Sequence, residues 1–218
     1  MSVPVRVMLV DDDELMRKGL AAVLSSDDRV EVVEDAQDGR QAVQRARHAR
    51  PDVVLMDVRM PELDGIAATR ELLAELPDAR VLILTTFETD DYIVGALRAG
   101  ASGFLLKRSS PEDLVAGILT VAAGEALLAP SVTRRVIDRV AREPQAGARS
   151  DVPLGELTPR EREVFELIAR GLSNREIAAE LTVEETTVKS HVKRVLMKLG
   201  ARDRVHAVIL AYESGVVP

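Results

Sequence analysis

Five short apolar runs, at 5–10, 30–33, 53–56, 81–84 and 103–106, constrain what the first part of this 218-residue chain can become. Each is built almost without interruption from Val, Leu, Ile and Met. Strands buried on both faces read this way, whereas a half-solvated strand alternates apolar with polar. Longer segments lie between and after them, at 15–24, 39–49, 65–75, 92–99 and 112–123. Leu15, Leu20 and Leu24, and later Leu114, Ile118 and Leu119, give these segments the apolar stripe of a helix. Five strand–helix units in series predict an α/β fold, a five-stranded, doubly wound parallel sheet with helices on both sides.

The pattern stops after residue 125. Between 126 and 155 the chain turns small, polar and rich in Pro and Gly, which predicts a linker holding one helix at 132–141. From 156 to 218 the signals are all helical. Thr158-Pro159-Arg160-Glu161 reads as an N-cap, a first-turn proline and the third-position Glu of a capping box. Ser173, with Glu176 three residues on, opens a second helix at 174–181. The turn Thr182-Val183 leads to a third at 184–199, closed by Gly200, and a fourth is expected at 202–213. Two helices joined by a few residues, the second one basic, form a helix-turn-helix pattern. Hence three segments are expected: 1–125, the linker 126–155, and a smaller all-α, four-helix domain at 156–218.

Composition narrows the function. There is no cysteine, which excludes disulfides, thiolate metal sites and a cysteine nucleophile. The N-terminus does not read as a signal peptide and no run approaches the roughly 20 apolar residues of a membrane span, so a soluble, cytoplasmic protein with no membrane partner is expected. The net charge of −7 is unevenly spread. Residues 1–129 hold 14 basic against 23 acidic side chains, while 156–218 hold 10 of each. Within that balanced segment, 185–204 carries six cations (Lys189, Lys193, Arg194, Lys198, Arg202 and Arg204) against two acids. A local basic face of this kind suits phosphates.

In an open parallel sheet, ligands sit beyond the carboxyl ends of the strands. Asp11, Asp12 and Asp13 follow the first run, Asp57 the third, Thr85 and Thr86 the fourth, and Lys107 the fifth. Carboxylates gathered on one rim repel unless a hard cation neutralises them, and carboxylate with water is the ligation Mg²⁺ prefers. A lysine and a hydroxyl beside them suit phosphoryl oxygens, so the implied chemistry is phosphoryl transfer to Asp57.

The residues Val10-Asp11-Asp12, Leu55-Met56-Asp57-Val58-Arg59-Met60-Pro61-Glu62-Leu63-Asp64-Gly65, Leu84-Thr85-Thr86 and Gly103-Phe104-Leu105-Leu106-Lys107 make residues 1–125 resemble a flavodoxin-like response-regulator receiver domain. That resemblance implies Asp57 as the phosphoacceptor. It also implies Mg²⁺ held by Asp12 and Asp57, by Asp11 through water, and by the Arg59 carbonyl. Thr85 and Lys107 would contact the phosphoryl group, and Phe104 would be the switch aromatic. Asp13 departs from the commonest pattern, as a third acid able to alter Mg²⁺ affinity, and so does Arg108 after the lysine.

Leu157-Thr-Pro-Arg-Glu161, Gly171-Leu-Ser-Asn-Arg-Glu-Ile-Ala178 and Thr186-Thr-Val-Lys-Ser-His-Val-Lys193 likewise resemble the LuxR-type helix-turn-helix. On the third helix, 186, 190 and 193 share a face, opposite the apolar Val188, Val192, Val195 and Leu199. The resemblance implies Lys189, Ser190 and Lys193 at base edges, with Thr187 and Arg175 among the phosphate contacts. Arg194 lies on the same basic helix. It further implies that the last helix pairs two copies on DNA. Val205, Val208 and Ile209 are equally readable as the strip for that pairing or as core. His191 reads as packing or as a phosphate contact.

The two segments together resemble the NarL/FixJ layout. The implied protein takes a phosphoryl group from a sensor histidine kinase, dimerises, and binds an inverted repeat in double-stranded DNA to control transcription. It would be no enzyme beyond its own phosphorylation and dephosphorylation. Two rivals stand beside it: a phosphate-independent DNA-binding regulator whose receiver only dimerises, and a Mg²⁺-dependent aspartyl phosphatase. The latter needs a second acid two residues after the nucleophile, where this chain has Arg59.

Overall fold

The computed structural model describes residues 3–86, 90–124 and 154–216. Contacts divide the chain into two compact units, at Met1–Leu127 and Leu128–Pro218. The helix expected at 132–141, with nearly all of its linker, lies outside the described residues.

The first unit runs β1 (Val5–Val10), α1 (Glu14–Leu24), β2 (Val30–Ala36), α2 (Gly39–Ala49), β3 (Val53–Met56), α3 (Gly65–Glu75), β4 (Arg80–Thr85), α4 (Asp90–Ala99), β5 (Gly103–Leu106) and α5 (Pro111–Ala122). All five strands are parallel, in the order β2-β1-β3-β4-β5. The doubly wound sheet expected from the apolar runs is therefore present.

Central β3 is buried at every residue, as its unbroken Val-Val-Leu-Met run requires. Val7, Leu9, Val53, Leu55, Leu82 and Leu84 face one layer, where they pack with Leu114, Val115, Ile118 and Val121 of α5 and Leu24 of α1. By the two-residue period of a strand, Met8, Val10, Val54, Met56, Val81 and Ile83 face the other way. All six are buried, on the side where α2, α3 and α4 are neighbours in turn.

β2 runs three residues beyond its apolar stretch, through Glu34, Asp35 and Ala36, and its register on β1 shifts between Val7 and Met8. It is an edge strand, so its outward side chains stay in water and the ladder does not need them apolar. Side-chain oxygens of Asp13, Asp38, Asp64 and Ser110 cap α1, α2, α3 and α5. Three of these caps are aspartates, two of them (Asp13 and Asp38) within three residues of a strand end, and they satisfy otherwise orphaned N–H groups.

Among the described residues the second unit begins with a 3₁₀ turn at Leu154–Glu156, which has no apolar period to announce it. It continues with α6 (Pro159–Ala169), α7 (Asn174–Leu181), α8 (Glu185–Leu199) and α9 (Arg204–Glu213). Both expected capping boxes form, at Thr158/Glu161 and Ser173/Glu176. Thr182, in the turn between α7 and α8, takes a left-handed φ of 53°, and Gly200 closes α8 at φ 62°. Val164, Phe165, Ile168, Ile177, Val188 and Val195 form the centre of this unit's core. Among the described residues no helix is long and apolar enough to cross a membrane.

Candidate functional site

The sheet order reverses direction between β1 and β3, the two strands that start adjacent windings, and a crevice opens at their carboxyl ends. Asp11 sits at the end of β1 and Asp57 at the end of β3, with Lys107 just past β5. The Lys107 Nζ donates to Asp11 Oδ2 at 2.6 Å and to Asp57 Oδ2 at 2.8 Å, and all three side chains are nearly buried. Asp57 is fixed further by its own N–H, which donates to Val10 O at 2.8 Å. Its Oδ1 accepts from the Val58 N–H at 2.7 Å.

Burial pushes the Asp57 carboxyl above the ordinary carboxylate range, and the nearby Asp11 charge adds to this, although Lys107 pulls the other way. For Lys107, burial alone would lower the pKa. Its bonds to Asp11 and Asp57 outweigh that, so the pKa is raised and the ammonium stays charged. The result is a buried cation shared between two carboxylates.

Asp12 is exposed beside them, and ligand oxygens of Asp11, Asp12 and Asp57 all lie within 4.8 Å of one another. Three hard oxygen donors at this separation fit a small divalent cation. Asp13 does not join them: its Oδ1 accepts from Leu15 N at 2.8 Å and Met16 N at 3.2 Å as the α1 cap. The third acid therefore serves the helix and does not join the cluster. Thr85 is buried at the end of β4, and its carbonyl accepts from the Lys107 N–H at 2.8 Å. Phe104 is also buried. The Arg59 guanidinium lies over the Tyr92 ring, 5.2 Å from its centroid. Gly65 has a steric role, since a Cβ there would come within 1.9 Å of the Asp57 carbonyl oxygen.

Two contributions escape the sequence pattern. Arg17 Nη1 donates to the Asp11 carbonyl at 2.6 Å and its Nε to Asp35 Oδ2 at 2.8 Å. Tyr92 belongs to a helix with no motif of its own. In sequence each is an unremarked residue of an amphipathic helix, and only chain folding brings it to the crevice.

In the second unit, α8 presents Thr186, Thr187, Lys189, Ser190, Lys193 and Arg194 to solvent, and Arg175 of α7 is exposed as well. The six cations of 185–204 are not equivalent, however. Lys198 turns inward, donating to Glu161 Oε2 at 2.7 Å and to the Glu156 carbonyl at 3.0 Å. That ammonium, with the Thr158 N–H, holds the Glu161 carboxyl down at about 2. Arg204 reaches Asn174 Oδ1 at 2.9 Å and the Leu172 carbonyl, fastening α9 to the start of α7. Lys189 pairs across one turn with Glu185 at 3.8 Å. Ser190 Oγ donates to the Thr186 carbonyl at 3.1 Å.

Val205, Val208 and Ile209 are 1%, 4% and 6% exposed. Of their two readings this is the buried one: they form no exposed strip in this structure, and Val208 belongs to the core. His191 is half-buried, with its Nδ1 enclosed and without a hydrogen-bond partner, which fits packing along the edge of the apolar stripe.

Comparison with known proteins agrees with both halves of this picture. The model of the response regulator receiver domain matches residues 7–119. That of the bacterial regulatory proteins of the luxR family matches residues 155–211. The chain is 39% identical over 213 residues to the "Uncharacterized transcriptional regulatory protein YxjL" of Bacillus subtilis (strain 168), covering 98% of this chain and 97% of the relative. The crystal structure of the response regulator ChrA, from a heme-sensing two-component system, is 36% identical and covers 99% of this chain and 100% of its own, with a TM-score of 0.53. The structure of the response regulator RcsB in complex with DNA is 25% identical over 98% of this chain and 100% of its own, with a TM-score of 0.56. An acidic crevice on a receiver fold, followed by a helix-turn-helix of the luxR type, places this chain in the NarL/FixJ-type family, as a two-component response regulator that controls transcription.

Proposed function

We propose that Asp57 is the phosphoacceptor of this regulator and that a sensor histidine kinase is the donor. The observation that carries the proposal is the buried Asp57–Lys107–Asp11 arrangement, a carboxylate held at the switch point of the sheet with a cation bonded beside it. A buried charge cluster is costly where it serves only stability, and perturbed carboxyls in clefts mark functional sites.

Asp11, Asp12, Asp57 and the Arg59 carbonyl are the residues that would hold Mg²⁺. When bound, Mg²⁺ offsets charge on the phosphoryl oxygens during transfer. A carboxylate oxygen of Asp57 attacks the phosphorus of the kinase's phosphohistidine as the P–N bond breaks and its electron pair leaves with the imidazole, while the Val58 N–H steadies the other Asp57 oxygen. Lys107 exchanges one of its carboxylate contacts for a phosphoryl oxygen, and the Thr85 hydroxyl donates to another. Phosphorylation so adds negative charge to a cluster in which two carboxylates already share one ammonium, which supplies the energy for a switch. Phe104, buried on the adjoining strand two register positions from the partner of Thr85, is the aromatic that follows the Thr85 movement.

DNA is read by α8, with Lys189, Ser190 and Lys193 at base edges and Thr187, Arg175 and Arg194 on phosphates. Pairing of two copies through Val205, Val208 and Ile209 requires that these side chains first be uncovered. The chemistry of the receiver is confined to its own acyl phosphate: Arg59, where a phosphatase needs an acid, instead lies over Tyr92.

The direct test is intact mass after incubation with Mg²⁺ and acetyl phosphate. One acid-labile adduct on the wild type and none on Asp57→Asn is expected. An adduct of equal yield on both proteins would place the acceptor elsewhere.

A further inference from the structure

The Asp11 backbone and side chain are held at four atoms, and three of the partners follow from the acidic crevice itself. Its N–H donates to the Ala36 carbonyl at 3.2 Å in the sheet. Its Oδ1 accepts from the Asp13 N–H at 3.0 Å, and its Oδ2 takes Lys107 at 2.6 Å. The fourth partner comes from outside the crevice. Arg17, one turn into α1, sends Nη1 to the Asp11 carbonyl at 2.6 Å. Its side chain is only 12% exposed, and its Nε is engaged by Asp35 Oδ2 at 2.8 Å, at the carboxyl end of β2.

A planar guanidinium with two donors directed at two acceptors, one of them a backbone carbonyl, is a geometric brace, which an ammonium on a flexible stem does not reproduce. We infer that Arg17 is a positioning residue for the cation site: it ties the Asp11 carbonyl to α1 and β2 and thereby sets where the Asp11 and Asp12 carboxylates stand. This inference rests on the reading of the crevice as the Mg²⁺-dependent acceptor site. Groups that orient ligands without touching the metal commonly set its affinity.

Two effects of losing Arg17 have opposite signs. As a positive charge near three carboxylates, Arg17 opposes a divalent cation, so simple electrostatics predicts tighter Mg²⁺ binding without it. That charge is already balanced by Asp35 at 2.8 Å, which leaves little net field, while the geometric role is uncompensated. Bracing therefore dominates, and removal weakens binding.

The experiment is calorimetric titration of the full-length protein with MgCl₂, using wild type, Arg17→Met and Arg17→Lys. Arg17→Met keeps the apolar stem and is expected to bind Mg²⁺ roughly 10-fold more weakly. Arg17→Lys keeps the charge but reaches only one of the two acceptors, and falls between. The Mg²⁺ concentration for half-maximal labelling by acetyl phosphate rises by the same factor, and the rate at saturating Mg²⁺ stays within about twofold, since no group touching the phosphoryl donor has changed. Unchanged or tighter Mg²⁺ binding by Arg17→Met overturns the inference, including when its melting temperature falls. Should Arg17→Met not fold, Arg17→Lys decides alone: weakened Mg²⁺ binding upholds the brace, and wild-type affinity overturns it. A wild type that itself gives no Mg²⁺ isotherm overturns the acceptor reading and this inference together, a result distinct from equal affinities.

Discussion

Replacing Lys107 with methionine removes the cation from between Asp11 and Asp57 while keeping most of its volume. The two carboxylates, with ligand oxygens within 4.8 Å of each other, then face one another unscreened. At that separation and an effective dielectric constant of about 20, two unit charges repel by about 3.5 kcal/mol. Breaking a buried ion pair by deleting one partner costs about 3–5 kcal/mol, which agrees. The protein has one escape, which is to protonate Asp57. Burial already holds that carboxyl above its ordinary range, and loss of Lys107 drives it higher. A carboxyl whose folded pKa lies above the unfolded one destabilises the fold at pH values above the folded pKa, and this penalty fades as pH falls toward the unfolded value. Urea denaturation in EDTA, followed by circular dichroism, should show a loss of about 3 kcal/mol at pH 7.5 in the transition of the first unit. The loss should be smaller by at least about 1 kcal/mol at pH 5. Millimolar Mg²⁺, binding only the folded crevice, should restore part of it. A loss under about 1 kcal/mol at pH 7.5, or an equal loss at both pH values, refutes this account of Lys107 as counter-ion.

Five further outcomes are expected. Glu161, held at about 2 by Lys198 and Thr158, contributes stability that is complete above its ordinary value of 4.5 and disappears as pH falls through about 2. Lys198→Met should flatten that part of the acid-unfolding curve of the second unit, and an unaltered curve contradicts it. Glu184 caps α8 without any side-chain hydrogen bond; Glu184→Asp keeps the charge, shortens the reach to the first-turn N–H groups and should add about 1 kcal/mol. Its thermal midpoint should rise by roughly 4–8 °C, and an unmoved midpoint counts against the cap. Against a duplex selected from a random library, Lys193→Ala should cost about 1–3 kcal/mol. Lys198→Ala should leave the salt dependence unchanged, because its charge is already met by Glu161, and a shallower salt slope would show that it reaches DNA. Gly65→Ala drives a methyl into the Asp57 carbonyl and should slow acetyl-phosphate labelling on the order of 100-fold; a wild-type rate would mean the loop yields without moving Asp57.

Much of this protein is legible in one dimension, because some physics is local. A strand buried on both faces needs an unbroken apolar run, so 53–56 announces β3 to the residue. Parallel strands need crossovers, and the residues just past strand ends must therefore converge, which brings Asp11, Asp57, Thr85 and Lys107 to one rim. Helix caps act over three residues, so Thr158/Glu161 and Ser173/Glu176 are readable as they stand. The apolar run at 30–33 understates β2 for a related reason: the polarity beyond Val33 reflects an exposed edge, which only the strand order reveals.

What tertiary structure alone decided is the use of groups whose chemistry allows several roles. Asp11, Asp12 and Asp13 are identical in type, yet one is buried against Lys107, one is exposed beside it and one caps α1. The basic residues of 185–204 look alike in sequence, but Lys198 and Arg204 are spent on Glu161, Leu172 and Asn174, while Lys193 and Arg194 remain on the surface. Arg17 carries no motif, and its hold on Asp11 exists only because α1 folds back against the ends of β1 and β2. Long flexible side chains choose partners by distance in space, and distance in space between separate elements is the quantity that residue order does not contain.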